Sequence, residues 1–391
     1  MRSMFTAAAA AALATAGIAL ASLPASAAPS SAAPSSAAPS RDGAPTVTVV
    51  ASGLNSPKQL TIGPGGVYVA ESGTGGSTCV TVGGTSECEG ETGAVALVTP
   101  FGTWNVLAGL PSVVQGSTEA AGPVAIAFDR GKVAVLFQDT AVNSDGVTAV
   151  QGPGSDDFGK LLLVRPFSRF HRWSVGADLA AFAAANPQDP ATLGGPPGAE
   201  TIYDSDPYDI VPYRDGFAIA DAAANDVLWL SHRGQLSILA RLPTIPNVFH
   251  GIPINAQAVP TSLAVGPDGA LYVGELVGFP GQPGTSSIYR IMPGHAASVV
   301  ASGLTAVTAI AFDREGRLLA TEYSTGGLLA PPTIPGALVR VDISTGTVTM
   351  LPVSGLSQPT GIAVDRRGDV YVSNNGISTG AGEVLRITGL D

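Results

Sequence analysis

A phrase repeated almost letter for letter constrains this chain more than any other feature. Val49-Val50-Ala51-Ser52-Gly53-Leu54 returns as Val299-Val300-Ala301-Ser302-Gly303-Leu304, and Val353-Ser354-Gly355-Leu356 echoes it. Each copy precedes an apolar run, a Gly/Asp turn and a second apolar run. Self-similarity at this spacing marks a repeat architecture, whose units bury their apolar faces only by stacking on one another.

The second phrase aligns in six copies: Gln59 to Ala70, Val124 to Phe137, Tyr208 to Ala220, Ser262 to Gly274, Ala309 to Thr321 and Gly361 to Ser373. In each, apolar or alternating residues flank a turn of Gly, Asp and Pro, the pattern of a β-hairpin. A third apolar run follows every copy, from Gly93 to Val98 in the first to Glu383 to Ile387 in the last. A fourth, such as Trp104 to Leu107 or Leu236 to Leu239, completes most units. Four strands in each of six units predict an all-β chain folded as a six-bladed β-propeller. The sixth unit lacks its own fourth strand, and Thr46 to Ala51 is expected to supply it. Such closure would remove an exposed sheet edge.

Three segments are expected along the chain. Residues 1–27, with Arg2, an apolar run from Phe5 to Leu23 and the exit Pro24-Ala25-Ser26-Ala27, read as a secretory signal peptide. The rival is an uncleaved anchor, because the run approaches the roughly 20 residues that span a bilayer; its alanines and small-residue exit favour cleavage. Residues 28–45 are rich in Ala, Pro and Ser and read as a disordered linker. Residues 46–391 form the propeller. No later apolar run is long enough to cross a membrane, and the exported chain is expected to act as a monomer outside the cell. Attachment to the envelope through the linker stays open.

Without Arg2 the 19 bases fall to 18 against 30 acids, a net charge of −12. An acidic chain with no Lys/Arg cluster is not held to nucleic acid or anionic lipid by bulk charge. The two cysteines, Cys79 and Cys88, lie close together in a chain bound for an oxidising compartment, so a local disulfide is expected.

In a propeller the 2–3 loops and the crossings between blades open on one face, and the 1–2 and 3–4 turns on the other. Here the second set is terse, as in Gly266 to Gly269 or Asp365 to Gly368, and its Asp and Gly residues answer to turn geometry. The first set is long and varied: Ser72 to Thr92, Asp139 to Gly159, Ala177 to Asp206, Thr244 to Val259, Leu276 to Ser286 and Tyr323 to Gly336. Elaboration confined to one face marks that face as the candidate binding surface. The residue after each second strand falls there too: Glu71, Gln138, Asp221, Glu275, Glu322 and Asn374. Such a ring of oxygen-bearing side chains is a candidate ligand-binding site. Glu71, Asp221, Glu275 and Glu322 are its candidate ligands for a hard divalent cation such as calcium. A plainer account is available, since polar residues ending strands at a wide opening are ordinary.

Other chemistries find little support. His171, His232, His250 and His295 occupy unrelated positions in the repeat, with His232 and His295 in the short turns and only His250 in a long loop. No Gly-x-Ser-x-Gly elbow is present, and Gly281-Gln282-Pro283-Gly284 lacks the strand-to-helix setting of a phosphate loop. Ala177 to Ala185 reads as a short helix ended by Asn186-Pro187, its apolar face on the propeller.

Several phrases carry a family likeness over nearly the whole chain after residue 45. They are Asp178-Leu179-Ala180-Ala181-Phe182 with Asn186-Pro187, Asp204-Ser205-Asp206-Pro207-Tyr208, Ala220-Asp221 with Asn225-Asp226, Val259-Pro260-Thr261-Ser262, Gly266-Pro267-Asp268-Gly269-Ala270-Leu271-Tyr272-Val273-Gly274-Glu275-Leu276 with Gly278-Phe279-Pro280, and Tyr371-Val372-Ser373-Asn374. In these the chain resembles the ScyD/ScyE family of secreted, NHL-repeat-like propellers. It departs at Ala222-Ala223-Ala224, where that family usually has glycines, and at Gly281-Gln282-Pro283, where a second Phe-Pro is usual. The resemblance implies the fold and export. The family is named for an association with scytonemin pigment synthesis, which implies no general activity.

Two functions follow as expectations. The favoured one is a secreted propeller that binds a small molecule, glycan or protein through its elaborated face. The alternative is a divalent-metal-dependent lactonase or ester hydrolase, motivated by the carboxylate ring.

Overall fold

A computed structural model describes residues 44–82, 85–115, 119–138, 155–164, 173–187 and 204–390. The expected signal peptide, His171, and most of the linker and of the Asp139 to Gly159 loop lie outside these residues. Six antiparallel blades follow one another around an axis, five of them four-stranded and the first widened to a six-stranded sheet. Blade one begins with Pro57–Gly63 and Gly66–Glu71, blade two with Pro123–Asp129 and Lys132–Phe137, and blade three with Pro207–Tyr213 and Gly216–Asp221. Blades four to six begin at Pro260–Val265, Val307–Phe312 and Gly361–Val364. The sixth blade is closed as expected: Thr46–Leu54 pairs antiparallel with Gly382–Thr388, from Thr46 opposite Thr388 to Leu54 opposite Gly382.

The repeated phrase has a structural cause. Gly53, Gly303 and Gly355 all take positive φ, at 77°, 84° and 85°. At Gly53 and Gly303 the strand register slips by one residue, so the glycine forms a β-bulge that bends the outer strand toward the next crossing. Leu107-Ala108-Gly109-Leu110 in blade one makes the same bulge, with φ of 73° at Gly109. A second kink follows both full copies and the echo, where Ser56, Ala306 and Gln358 also hold positive φ and turn the chain down toward the axis.

The innermost strands lock to one another around that axis. Thr261 Oγ1 donates to Val307 O at 2.8 Å, Thr308 Oγ1 to Pro359 O at 2.8 Å, and Thr360 Oγ1 to Pro57 O at 2.7 Å. Gln59 Nε2 reaches across to the carbonyls of Thr261 and Thr308, each at 3.1 Å. Between blades the core is aliphatic and aromatic. One cluster joins Leu136, Leu161, Tyr208, Ile219 and Leu228; another joins Ile288, Leu304, Ile310 and Leu318.

On the elaborated face the Ser72 to Thr92 segment is a hairpin in which Cys79 pairs with Cys88, and these two form the expected disulfide. The segment before Val259 holds a second hairpin, Ile245–Phe249 with Ile252–Ala256, which pairs with no blade and carries His250 at its turn. The helix is Leu179–Ala185; Asp178 Oδ1 caps it by accepting Ala181 N–H at 2.8 Å, and Leu179 and Ala183 are buried. The short turns of the opposite face use their aspartates on the backbone: Asp313 Oδ1 accepts the N–H groups of Glu315 and Arg317, and Asp365 Oδ1 those of Arg367 and Asp369.

Candidate functional site

The six ring residues occupy equivalent positions at the ends of second strands, yet they face their own blades rather than an open mouth. All are between 0 and 5 % exposed. Glu71 Oε2 accepts Asn55 N–H at 2.7 Å, Glu322 Oε1 accepts Thr305 N–H at 2.8 Å, and Asn374 Oδ1 accepts Ser357 N–H at 2.7 Å. In blade three Asp221 Oδ1 accepts Asp206 N–H at 2.8 Å and Ala224 N–H at 3.2 Å, and Ser205 Oγ donates to its Oδ2 at 2.6 Å. The donor in blades one, five and six is the residue just after Gly-Leu of the repeated phrase. In blades one, three, five and six the recurring oxygen therefore ties the second strand to the incoming crossing, where it meets a backbone N–H without a strand partner.

Blades two and four depart from that pattern. Gln138 Nε2 donates to Asp206 Oδ1 at 3.4 Å, linking blade two to blade three. Glu275 is fully buried, and Asn225 Oδ1 accepts Val259 N–H at the neighbouring crossing. Ser287 and Tyr289 face Glu275 and favour its charged form, yet neither carboxylate oxygen meets a donor at hydrogen-bonding geometry. Burial dominates and lifts its pKa to about 8. Among the described residues no three His, Cys, Asp or Glu side chains come together as a metal-binding set, so Glu71, Asp221, Glu275 and Glu322 do not converge on one ion.

Asp221 joins a cluster of further carboxyls, to which Gln138 is tied through Asp206. A narrow cleft with room for about one water molecule lies under the helix in blade three; Phe182, Ala183, Asn186, Asp204, Asp221 and Asp226 line it, with Ala224 and Leu228. Asp204 and Asp206 arrive on the crossing before Pro207, Asp221 ends the second strand, and Asp226 opens the third. Burial, with the charges of Asp206 and Asp221, raises Asp204 to about 7. Burial raises Asp221 to about 6 against the pull of its three hydrogen bonds. Asp226 is raised by burial and by Asp221, while Arg241, opposite it in the ladder, acts the other way. Titratable groups perturbed in this manner inside a cleft are a recognised sign of a functional site.

The sequence pattern singled out Asp221 and passed over Asp204, Asp206 and Asp226. The available signal was Asp-Ser-Asp-Pro ahead of a first strand and Asp-Ala-Ala-Ala-Asn-Asp around a 2–3 turn. Both fall at the elaborated end of one blade.

No protein-family model matches this chain, and no curated protein matches it in sequence. Solved structures do match in fold. A Thermus thermophilus protein described as an oxidoreductase (glucose dehydrogenase) superimposes with a TM-score of 0.51 at 16 % identity, over 88 % of this chain and 100 % of its own. A Bacteroides thetaiotaomicron protein of unknown function gives 0.51 at 10 % identity, over 88 % and 76 %. A protein described as a gluconolactonase gives 0.48 at 10 % identity, over 89 % and 94 %. The first two share the six-bladed propeller fold of this chain.

Proposed function

We propose that this chain is an exported propeller that binds a small molecule, glycan or protein through its elaborated face, in keeping with the secreted ScyD/ScyE family it resembles. The observation that carries this reading is one-sidedness. The disulfide hairpin, the hairpin Ile245–Phe249/Ile252–Ala256, the helix and the aspartate cleft all stand on one face, and the other carries short turns knit to their own backbone. No helix among the described residues is long and apolar enough to cross a membrane, and the disulfide fits an oxidising compartment.

Because the ring caps backbone, replacing it would confuse binding with stability. The better test changes exposed elaborated-face positions, such as Ile252→Asp on the free hairpin, against Arg366→Ala in a short turn. Ligands found by a thermal-shift screen, or glycans retained on an array, should be lost with the first and kept with the second. The opposite result overturns the reading.

A hydrolase remains the second reading, now supported by the near-neutral Asp204 and Asp221 rather than by a metal-bound ring. Carboxyls poised between acid and base can protonate a leaving group or activate water. Thermal unfolding with calcium, with other divalent ions and with chelator tests the metal-dependent form. An unchanged Tm under all of them counts against it.

A further inference from the structure

Blade one carries two aromatic side chains that its core does not use. Phe101 is 90 % exposed at the tip of the Thr99-Pro100-Phe101-Gly102 turn, and Trp104 stands half exposed on the outer strand Gly102–Gln115. No other described short turn holds out a Phe, Tyr or Trp at its tip. Both rings are fixed in place. Thr99 Oγ1 accepts Phe101 N–H at 3.1 Å and donates to Gly102 O at 3.2 Å, so one hydroxyl closes the turn that displays Phe101. A Cβ on Gly102 would sit 3.6, 3.8 and 4.0 Å from three consecutive atoms of the Trp104 benzo ring. Distances so nearly equal place the indole face-down on the glycine, with its other face turned to solvent.

The surroundings restrict what those faces can meet. No residue between Glu91 and Glu119 carries a charge, so nothing in this strand recruits an ion. Gly102 to Leu107 pairs with Thr85–Thr99 on one side and with no strand on the other, since Glu119–Ala121 joins only at Val113 to Gln115. Such an edge presents backbone N–H donors and C=O acceptors together. Hydroxyls, each a donor and an acceptor at once, match it. The electron-rich ring faces attract polarised C–H groups, and a pyranose ring with all its substituents equatorial presents C–H groups on both flat sides. Area separates such a ligand from a protein partner: two aromatic side chains supply roughly 300–500 Å², below the roughly 800 Å² per partner of a stable protein contact.

We propose that the rim of blade one is a binding site for a neutral, β-1,4-linked glycan of all-equatorial pyranose rings. Sugar rings stack on the open indole face of Trp104 and on Phe101, and their hydroxyls meet the unpaired backbone edge beside Trp104. The site is separate from the elaborated face, because Phe101 lies on a short turn at the opposite end of the blade. Capture through ring faces and backbone groups involves no ion pair, so it is insensitive to salt.

The test is calorimetric titration of the full chain with cellohexaose, xylohexaose and chitohexaose. At least one of these neutral chains should bind saturably, with an affinity unchanged in added salt. Trp104→Ala should weaken it at least about tenfold, the ordinary cost of truncating an anchoring Trp, and Trp104→Phe, which keeps a ring, should recover part of that loss. Phe101→Ser should also weaken it with Tm unchanged, and it serves alone if Trp104→Ala does not fold. A ligand of the elaborated face is untouched by Phe101→Ser, so the two readings fail separately. Absence of saturable binding by all three glycans, or binding indifferent to both Trp104→Ala and Phe101→Ser, overturns the site. Sedimentation that finds a dimer of the free chain, dissolved by Trp104→Ala, assigns the two rings to a second copy and overturns the glycan.

Discussion

Glu322 and Asn374 carry different charges and perform one task, which identifies the oxygen rather than the charge as the requirement. Each holds a backbone N–H that the crossing kink has taken out of the β-ladder. Burial raises Glu322 above its ordinary pKa, while the Thr305 N–H pulls it back. Removing the acceptor leaves Thr305 N–H buried without a partner, so Glu322→Ala should cost about 1–3 kcal/mol in denaturant unfolding. Glu322→Gln keeps an oxygen of the same reach and should recover most of that loss. An equal loss in both variants would make the charge, not the acceptor, the stabilising feature. Asp209 does similar work between blades, its Oδ2 accepting Leu263 N–H at 2.8 Å and its Oδ1 accepting Ile210 N–H at 2.8 Å.

At the scale of the strand, the repeated phrase encodes a bulge and a kink, and its glycine is the residue that cannot be exchanged. A Cβ on Gly303 would meet nothing within 4 Å, so the obstacle to substitution is its φ of 84°. Gly303→Ala should therefore cost about 1–2 kcal/mol, the penalty for an L-residue in the left-handed region. Gly216 fails for the other reason, because its Cβ would lie 2.1 Å from Leu230 O; there the strands themselves must part, and Gly216→Ala should unfold the chain at a lower denaturant concentration than Gly303→Ala. Elements of this kind were legible in sequence because the hairpin repeat is local: six copies fixed the blades, the closing strand and the short turns. Leu107-Ala108-Gly109-Leu110 escaped notice because it keeps the bulge glycine while changing its neighbours. The free hairpin Ile245–Phe249/Ile252–Ala256 escaped because it belongs to no repeat. Direction of side chains was not legible at all. A strand-end carboxylate can turn to the mouth or to its own crossing, and the choice depends on a backbone N–H in the preceding crossing that only the folded kink exposes.

Across the whole molecule, the buried carboxyls act in the same direction on stability. Asp204 and Asp209 are raised to about 7, Asp221 to about 6 and Glu275 to about 8, each chiefly by burial. In the unfolded chain these groups titrate near 4. Between pH 4 and pH 8 the native state therefore holds protons that the unfolded state has released, and stability falls as pH rises wherever the folded state binds more protons. Their contribution is fully present below the unfolded pKa and is lost by the time pH passes about 8, the highest folded value among them. Asp268 and Asp342 are shifted down and oppose this on the acid side, but both are largely solvent-screened, so the lowered pair is the weaker influence. Stability should decline across this range, with Tm falling from pH 5 to pH 8.5. Each kcal/mol lost moves Tm by roughly 2 °C in a domain of this size, so a fall of at least about 5 °C is expected. Calorimetric scans at half-unit pH steps measure it, and Glu275→Gln should flatten the part of the profile between pH 7 and pH 8.5. A Tm that rises or stays level over pH 5 to 8.5 would mean that these carboxyls are ionised in the folded protein, their charge met by a bound cation or by groups outside the described residues.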